Sequence, residues 1–277
     1  MSIVSSNNVT YLLLNGIETP ISFELGEGIT FAPADTSHLD LTTALSTVTT
    51  PDDIPVVTAF IPLIRSQFII TGDTAKETAG LAWNAQWDAL LLSAIFLTEV
   101  GFNLQSNVSA ERINEDSTLR ATNYQMYGFT NQPPYSLSDE DVEWLKKSFL
   151  KARNLLSSEQ FMTAVHSLAT FRWHSHPRIR IAVLWAGIES LFNISAELRF
   201  RLSQYAARFL YPESSDKMKD CYRETLKLYD LRSKAVHGSK MKGDVQKIVE
   251  DSFTLLRMLI RSCIDQERIP DPKLLAP

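Results

Sequence analysis

The sequence is poor in cysteine and has no long apolar run, and both facts limit what the chain can be. Cys221 and Cys263 are the only cysteines among 277 residues, too few for the disulfide framework of a small secreted domain. The most apolar stretch, residues 89–97, is about half as long as a membrane-spanning helix. The first residues, MSIVSSNNVT, lack the basic start and apolar core of a secretory signal. We therefore expect a cytoplasmic protein with reduced thiols and no membrane partner.

Basic side chains are scarce in the first half of the chain. Residues 1–136 contain 4 basic side chains and 14 acidic ones, a net charge of −10, whereas residues 137–277 contain 23 basic and 18 acidic ones, a net charge of +5. A polyanion would be repelled by the first part and tolerated by the second. The two parts are therefore expected to have different roles.

The hydrophobic pattern of residues 1–136 predicts a mixed domain with β-strands and a long helix. Short β-branched or aromatic runs at residues 9–14, 21–25 and 28–32 are typical of strands, and IPVVTAF (54–60) and RSQFIITG (65–72) continue this pattern. A proline-free segment rich in Ala and Leu then begins at Lys76 and predicts a helix of about twenty residues. We interpret residues 105–136 as loop and linker, because Pro133 and Pro134 cannot continue a helix. The domain boundary is placed at residue 136.

Residues 137–277 are predicted to form a bundle of six helices, which makes the whole chain α+β. The first helix opens with Ser138 and Asp141, the spacing of a capping box. The third, PRIRIAVLWAGIESLF, is apolar almost all round and is expected to be central. The fifth contains LYDLRSKAVHG and is expected to end at Gly238, because glycine adopts the left-handed conformation that terminates helices.

Arg232 and His237, near the end of this fifth helix, form an Arg–x4–His pattern. The spacing alone carries little information, since 15 arginines and 5 histidines produce such a pair about 0.8 times by chance in a chain of this length. Residues five apart on a helix also differ by about 140° in direction, so a single helix would not bring the two side chains together. Only the residues around Arg232 and His237 can therefore indicate whether the pair has a function.

The surroundings of the motif favour chemistry on an anion. The segment is basic, and His237 lies in the last helical turn, where the helix dipole favours the protonated imidazole. Because a helix C-terminus repels phosphate, nearby Lys and Arg are what an anionic substrate would require there. The alternative is that His237 only caps the helix and Arg232 makes a surface ion pair.

The C-terminal half resembles the HEPN superfamily, and within it the ApeA-like group. The resemblance is carried, in order, by DEDVEWLKKSF, RIRIAVLWAGIESLF, AELRFRLSQYAARFL and above all LYDLRSKAVHG, and it covers roughly residues 138–265. HEPN ribonucleases are helical bundles in which two protomers usually join their Arg–x4–6–His motifs into one metal-independent site. In such a dimer, a second chain would supply the Arg or His side chain that a single helix cannot bring into the same site.

The resemblance implies roles for individual residues. Arg232, Ser233 and His237 match the motif and would be catalytic, although Ser233 stands where many active members have Asn, Asp or His. His237 would transfer protons and Arg232 would stabilise charge on the phosphate, while the 2′-hydroxyl of RNA attacks and leaves a 2′,3′-cyclic phosphate. Three lysines would bind the RNA backbone: Lys234, Lys240 and Lys242. No metal or other cofactor is implied.

Glu189 and Arg201 are expected to support the site. A carboxylate on a helix as apolar as WAGIESLF is costly to bury unless it is paired. Glu189 would orient Arg232 or contact the motif helix; an equally open alternative is a structural ion pair with another arginine such as Arg201. Arg199 and Arg201 could contact RNA, but a helix face with core contacts is the favoured interpretation of this pair.

Two further patterns have simpler interpretations. His174 and His176 in WHSHP have no nearby Cys or acidic partner, which argues against a metal site. Trp83 and Trp87 stand four apart on the long helix, a spacing that suits a ligand platform but is better explained by core packing.

Two functions from different classes follow. The first is a dimeric HEPN endoribonuclease in anti-phage or abortive-infection defence, with RNA as its substrate and an N-terminal domain that senses a trigger or regulatory partner. The second is a non-catalytic HEPN module for dimerisation or for nucleotide or partner binding. The intact Arg232–His237 pair favours the first.

Overall fold

The structure is a computed structural model that describes residues 8–124, 132–194, 197–238 and 244–276. The chain divides into two compact units, residues 1–150 and 151–277. The fold is α+β, as the sequence predicts, with an antiparallel sheet in the first unit and helices in the second. The division falls inside a helix that begins at Asp139, whereas the sequence analysis places the boundary at residue 136.

The first unit is built on a six-stranded antiparallel sheet with the order β3-β4-β5-β1-β6-β7. In the described residues the strands are β1 (Val9–Asn15), β2 (Ile17–Glu18), β3 (Phe23–Gly26), β4 (Ile29–Pro33), β5 (Ile64–Thr71), β6 (Gly101–Ser106), β7 (Leu119–Ala121) and β8 (Tyr135–Ser136). β2 and β8 form a separate parallel pair. Four strands were not predicted from the sequence: β2 lies between two predicted strands, β6 lies partly in the segment 105–136 interpreted as loop and linker, and β7 and β8 lie wholly in it.

Helices cover both faces of this sheet: α1 (Leu41–Ser46), α2 (Ile54–Phe60) and α3 (Ala75–Phe96). Leu12, Leu13 and Leu14 of β1 are all buried, which requires cover on both sides of the strand. The side chain of Leu13 packs in one cluster with Val57 and Phe60 of α2, while α3 also contacts β1.

The strand predicted at IPVVTAF is wrong, because these residues form α2. Pro55 stands in the first turn of the helix, where a missing N–H has no cost. Val56, Val57 and Phe60 are buried with the spacing of one helix face. Packing against the sheet therefore outweighs the β-propensity of this short run.

The rest of the described chain is helical: α4 (Asp139–Leu155), α5 (Glu159–Thr170), α6 (Pro177–Phe192), α7 (Leu198–Leu210), α8 (Ser215–Val236), α9 (Val245–Gln266) and α10 (Pro272–Leu275). The capping box at the start of α4 is confirmed, because the Asp141 amide donates to Ser138 Oγ and the Ser138 amide donates to Asp141 Oδ2. All six predicted helices are present.

α6 is the central helix of the second unit, as its apolar sequence predicts. It packs against α5, α7, α8 and α9. Trp185 is fully buried, and its indole N–H donates to Ser252 Oγ on α9 at 3.1 Å. A Cβ at Gly187 would lie 2.8 Å from the Ser167 Cβ and 2.9 Å from Leu256 Cδ2, so glycine allows α5 and α9 to approach α6 closely. This packing fixes the faces of α6 and α8 that carry the candidate site.

Candidate active site at the end of helix α8

The motif residues lie in the last turns of α8, where the sequence predicts them. The helix ends at Val236, the His237 amide donates to the Ser233 carbonyl at 3.0 Å, and Gly238 follows with φ of +73°. Arg232 and Ser233 are partly buried, whereas Lys234 and His237 are exposed. The imidazole of His237 is therefore open to a ligand. Lys240 and Lys242, the other predicted RNA-binding lysines, lie outside the described residues.

Arg232 is held by Glu189 of α6. Arg232 Nη2 lies 2.8 Å from Glu189 Oε1, and the two side chains are 20% and 23% exposed. The pair is close but lacks the directionality of a hydrogen bond, since Glu189 Oε1 and the buried Arg232 Nε have no hydrogen-bond partner in the described part of the chain. Glu189 therefore compensates the Arg232 charge while leaving donor capacity on the guanidinium.

Burial and charge act in opposite directions on Glu189. Burial raises the pKa of this carboxyl above its ordinary value, and the neighbouring Arg232 lowers it by a smaller amount. The Tyr229 ring is a second neighbour of Arg232, because its centroid lies 5.6 Å from the guanidinium carbon and 5.5 Å from the Trp185 ring. The guanidinium thus contacts both a carboxylate and an aromatic ring, and that ring packs against a fully buried tryptophan.

Arg201 is not the partner of Glu189. Its Nε and Nη2 donate to the Tyr205 hydroxyl on the same helix, α7, at 3.2 and 3.1 Å. Its guanidinium also lies 5.6 Å from the Tyr205 ring. These contacts support packing within α7, and the structure does not bring Arg201 to the motif as a partner of Glu189.

Two further arginines, Arg199 and Arg178, contact α8 near the motif. Arg199 of α7 forms a two-pronged ion pair with Asp230, with distances of 2.6 and 2.7 Å. Arg178, in the first turn of α6, donates from Nη1 to the carbonyls of Lys234 and Ala235 at 3.4 and 3.1 Å. Both contacts join residues distant in sequence, so no local pattern could have indicated them.

The histidines of WHSHP have a structural role near the same place. His176 caps α6, because its Nδ1 accepts a hydrogen bond from the Arg178 amide at 3.2 Å. The His174 carbonyl accepts one from Arg180 Nε at 2.5 Å. Within the described ranges, no group of three or more His, Cys, Asp or Glu side chains is placed to hold a metal ion.

Apolar side chains are exposed beside the motif. Ile179 follows Arg178 and is 48% exposed, and Val236 precedes His237 and is 44% exposed. The Arg178 hydrogen bonds bring the start of α6 and the end of α8 together, so both residues belong to segments that meet at this junction. Apolar surface next to charged groups is a usual feature of protein interfaces.

A separate cleft lies between α8 and α9, with a volume of about 690 Å³. Its apolar lining includes Cys221, Leu228, Leu231, Leu255 and Met258. Lysines at positions 217, 227 and 247 and acidic residues at positions 220, 224 and 251 also line it. Arg232 and His237 do not belong to this lining, so the cleft and the motif are distinct features of α8.

Comparisons with known proteins provide no independent support for the HEPN resemblance, which depends on the sequence motifs alone. No protein-family model, curated protein or solved structure matches the chain. None of the helices in the described ranges has both the length and the apolar composition needed to cross a bilayer.

Proposed function

We propose that the protein is a metal-independent endoribonuclease of the HEPN type, acting as a homodimer. The observation that carries the proposal is the arrangement at the end of α8, where Glu189 holds Arg232 and His237 stays exposed beside the cations Lys234 and Arg178. An oriented guanidinium can stabilise charge on a phosphate and an accessible imidazole can transfer protons, which are the roles that metal-independent phosphodiester transesterification uses.

Each group has a defined part in the reaction. A His237 imidazole accepts the proton of the RNA 2′-hydroxyl as its oxygen attacks the adjacent phosphorus, and a 2′,3′-cyclic phosphate forms. The 5′-oxygen leaves and receives a proton from a second imidazole. Arg232 binds the non-bridging oxygens, whose charge grows in the transition state. Two copies of the chain supply the base and the acid together, and Ser233 adds a polar group beside them.

The exposed apolar side chains of Ile179 and Val236 support dimerisation at this place. Covering them with a second copy would bring two motifs face to face. We further propose that the enzyme acts in the cytoplasm in anti-phage or abortive-infection defence. The acidic N-terminal unit then senses a trigger or restrains the nuclease, because its negative charge is unsuited to binding RNA.

RNA cleavage by purified protein in EDTA tests the proposal. We expect the parent to cleave single-stranded RNA to products with 2′,3′-cyclic phosphate ends, and Arg232→Ala and His237→Ala each to lower the rate by about 10²–10⁴-fold. Arg223→Ala is the matched control, since Arg223 lies on the same helix, 69% exposed, and pairs only weakly with Asp220 at 3.7 Å. A parent inactive on single-stranded, hairpin and transfer RNA, or variants as active as the parent, would contradict the assignment.

The cleft between α8 and α9 favours a second candidate, a non-catalytic HEPN module that binds a nucleotide. Its volume suits a small molecule, its floor is apolar and three lysines could meet phosphate oxygens, although three acidic side chains also line it. Titration calorimetry with nucleoside mono-, di- and triphosphates tests this alternative. Binding that Lys227→Ala weakens, together with no RNA cleavage, would favour the module over the nuclease.

A further inference from the structure

The last turn of α8 has backbone carbonyls that no further helical turn can satisfy. The Ser233 carbonyl accepts from the His237 amide. The next two carbonyls, of Lys234 and Ala235, accept from a single side-chain nitrogen, Arg178 Nη1 of α6. One guanidinium therefore closes the end of the helix immediately before His237.

Arg178 is itself firmly placed. It stands directly after Pro177, which begins α6, and its amide donates to the capping imidazole of His176. The amides of Ile179 and Arg180 both donate to the His176 carbonyl. The start of α6 is thus fixed by several hydrogen bonds, and the Arg178 side chain extends from a rigid base to the end of α8.

The charge of Arg178 changes how this helix end meets an anion. A helix C-terminus carries the equivalent of roughly −0.5 elementary charge, which repels phosphate. Arg232 does not offset that charge in the single chain, because Glu189 compensates it. A guanidinium bonded directly to the terminal carbonyls offsets part of this negative end, which favours the approach of a phosphate to the exposed His237.

We infer that Arg178 is a positioning residue for the proposed nuclease: it fixes the last turn of α8, and with it His237, and makes this helix end receptive to the scissile phosphate. Arg178 acts through the backbone of α8 and touches no reacting atom. The inference rests on the proposed function for its catalytic consequence and on the α6–α8 hydrogen bonds for its structural one.

Two measurements on the full-length chain test it, with Arg178→Ala, Arg178→Lys and the control Arg223→Ala. In RNA cleavage, we expect Arg178→Ala to lower kcat by about 10–100-fold and to raise KM by a smaller factor, since the displaced His237 slows the chemistry and the lost charge weakens phosphate binding. Arg178→Lys should recover part of the loss, because it keeps the charge but loses the planar donor group. In hydrogen exchange, we expect faster exchange at residues 233–238 in Arg178→Ala and no change in Arg223→Ala.

The outcomes separate this inference from the nuclease proposal. Exchange at residues 233–238 that is unchanged in Arg178→Ala overturns the inference whatever the activity. A parent that cleaves RNA together with an Arg178→Ala variant of equal kcat also overturns it, while the nuclease proposal stands. A parent that never cleaves overturns the nuclease proposal and the catalytic role of Arg178, and exchange then decides only whether Arg178 fixes the helix end.

Discussion

The two units of this protein use polar side chains in different ways. In the first unit they join backbone segments: Gln67 accepts from the Ala110 amide and donates to the Pro33 carbonyl and to Glu111. In the second unit, charged side chains of three helices meet at one end of α8, where Glu189 and Arg199 contact side chains and Arg178 contacts the backbone. Polar groups that serve only the fold form hydrogen bonds with backbone N–H and C=O groups. The end of α8 differs because several charged side chains, more of them basic than acidic, also lie there. This contrast is the physical reason for placing the candidate chemistry in the second unit.

We expect the largest loss of stability from a tryptophan in the second unit, and a tryptophan in the first unit provides the comparison. Trp185→Ala removes a fully buried ring and its hydrogen bond to Ser252, so we expect the free energy of unfolding of the second unit to fall by about 3–5 kcal/mol. Urea unfolding followed by circular dichroism measures this change.

Trp83→Ala is the matched substitution in the first unit. Contrary to the core packing expected from sequence, the Trp83 side chain is 59% exposed on α3. Its loss should change the free energy of unfolding by less than about 0.5 kcal/mol, as for surface positions generally. Equal losses for the two variants would contradict the described core.

A smaller effect is expected from the Glu189–Arg232 pair. Glu189→Ala leaves a partly buried guanidinium without its carboxylate, and we expect a loss of about 1–3 kcal/mol at neutral pH, measured by urea unfolding. Arg199→Ala, which breaks a more exposed pair, provides a comparison and should cost less.

The pH dependence of the same pair has a definite sign. Because burial raises the pKa of Glu189 in the folded chain above its ordinary value of 4.5, the folded state holds this proton more tightly than the unfolded one. The resulting stabilisation is complete below pH 4.5 and is lost as the pH rises through the folded value. Glu189→Gln should lack this decline in its profile of urea midpoint against pH. A parent and variant with parallel profiles would argue against the buried carboxylate.

A smaller effect than that of the Glu189–Arg232 pair is expected at Asp230. The hydrogen bond from Arg199 lowers the pKa of this carboxyl, so its contribution to stability is present above its ordinary value of 3.8 and is lost as the pH falls through the folded value. Both side chains are more than a third exposed, so solvent screening makes the contribution of the pair small.

Asp230→Asn tests this contribution by urea unfolding at low and high salt. The difference from the parent should shrink as salt is added. Asp216→Asn is the control, because Asp216 is 96% exposed and lies 3.8 Å from Lys219. A control that loses as much as Asp230→Asn would show that the geometry of the Arg199 pair adds nothing.

The sequence predicts those parts of the fold that depend on neighbours along the chain. The capping box at Ser138 and the helix end before Gly238 are fixed by local hydrogen bonds and by the freedom of glycine at positive φ. IPVVTAF was mistaken for a strand because a short apolar run suits either structure, and only its packing against the sheet selects a helix.

At the candidate site, too, the sequence predicts local features but not contacts between residues distant in the chain. Arg232 and His237 are visible as a pattern, and the notion that Glu189 needs a partner follows from its apolar helix. The identity of that partner does not, because Arg232 and Arg201 are equally available in the sequence. Arg178 has no signal at all, since its carbonyl partners lie 56 and 57 residues away. A hydrogen bond between a side chain and a distant backbone group produces no periodic pattern in the sequence that could predict it.

The aromatic contacts behind Arg232 give the protein an internal optical reporter. The Trp185 and Tyr229 rings make a T-shaped contact, and the Arg232 guanidinium lies over the Tyr229 ring. Any ligand that draws the guanidinium away from Glu189 will disturb the electric field at a buried indole. Occupancy of the site can therefore be followed as a change in intrinsic fluorescence, in a chain that carries no label and before any bond is broken.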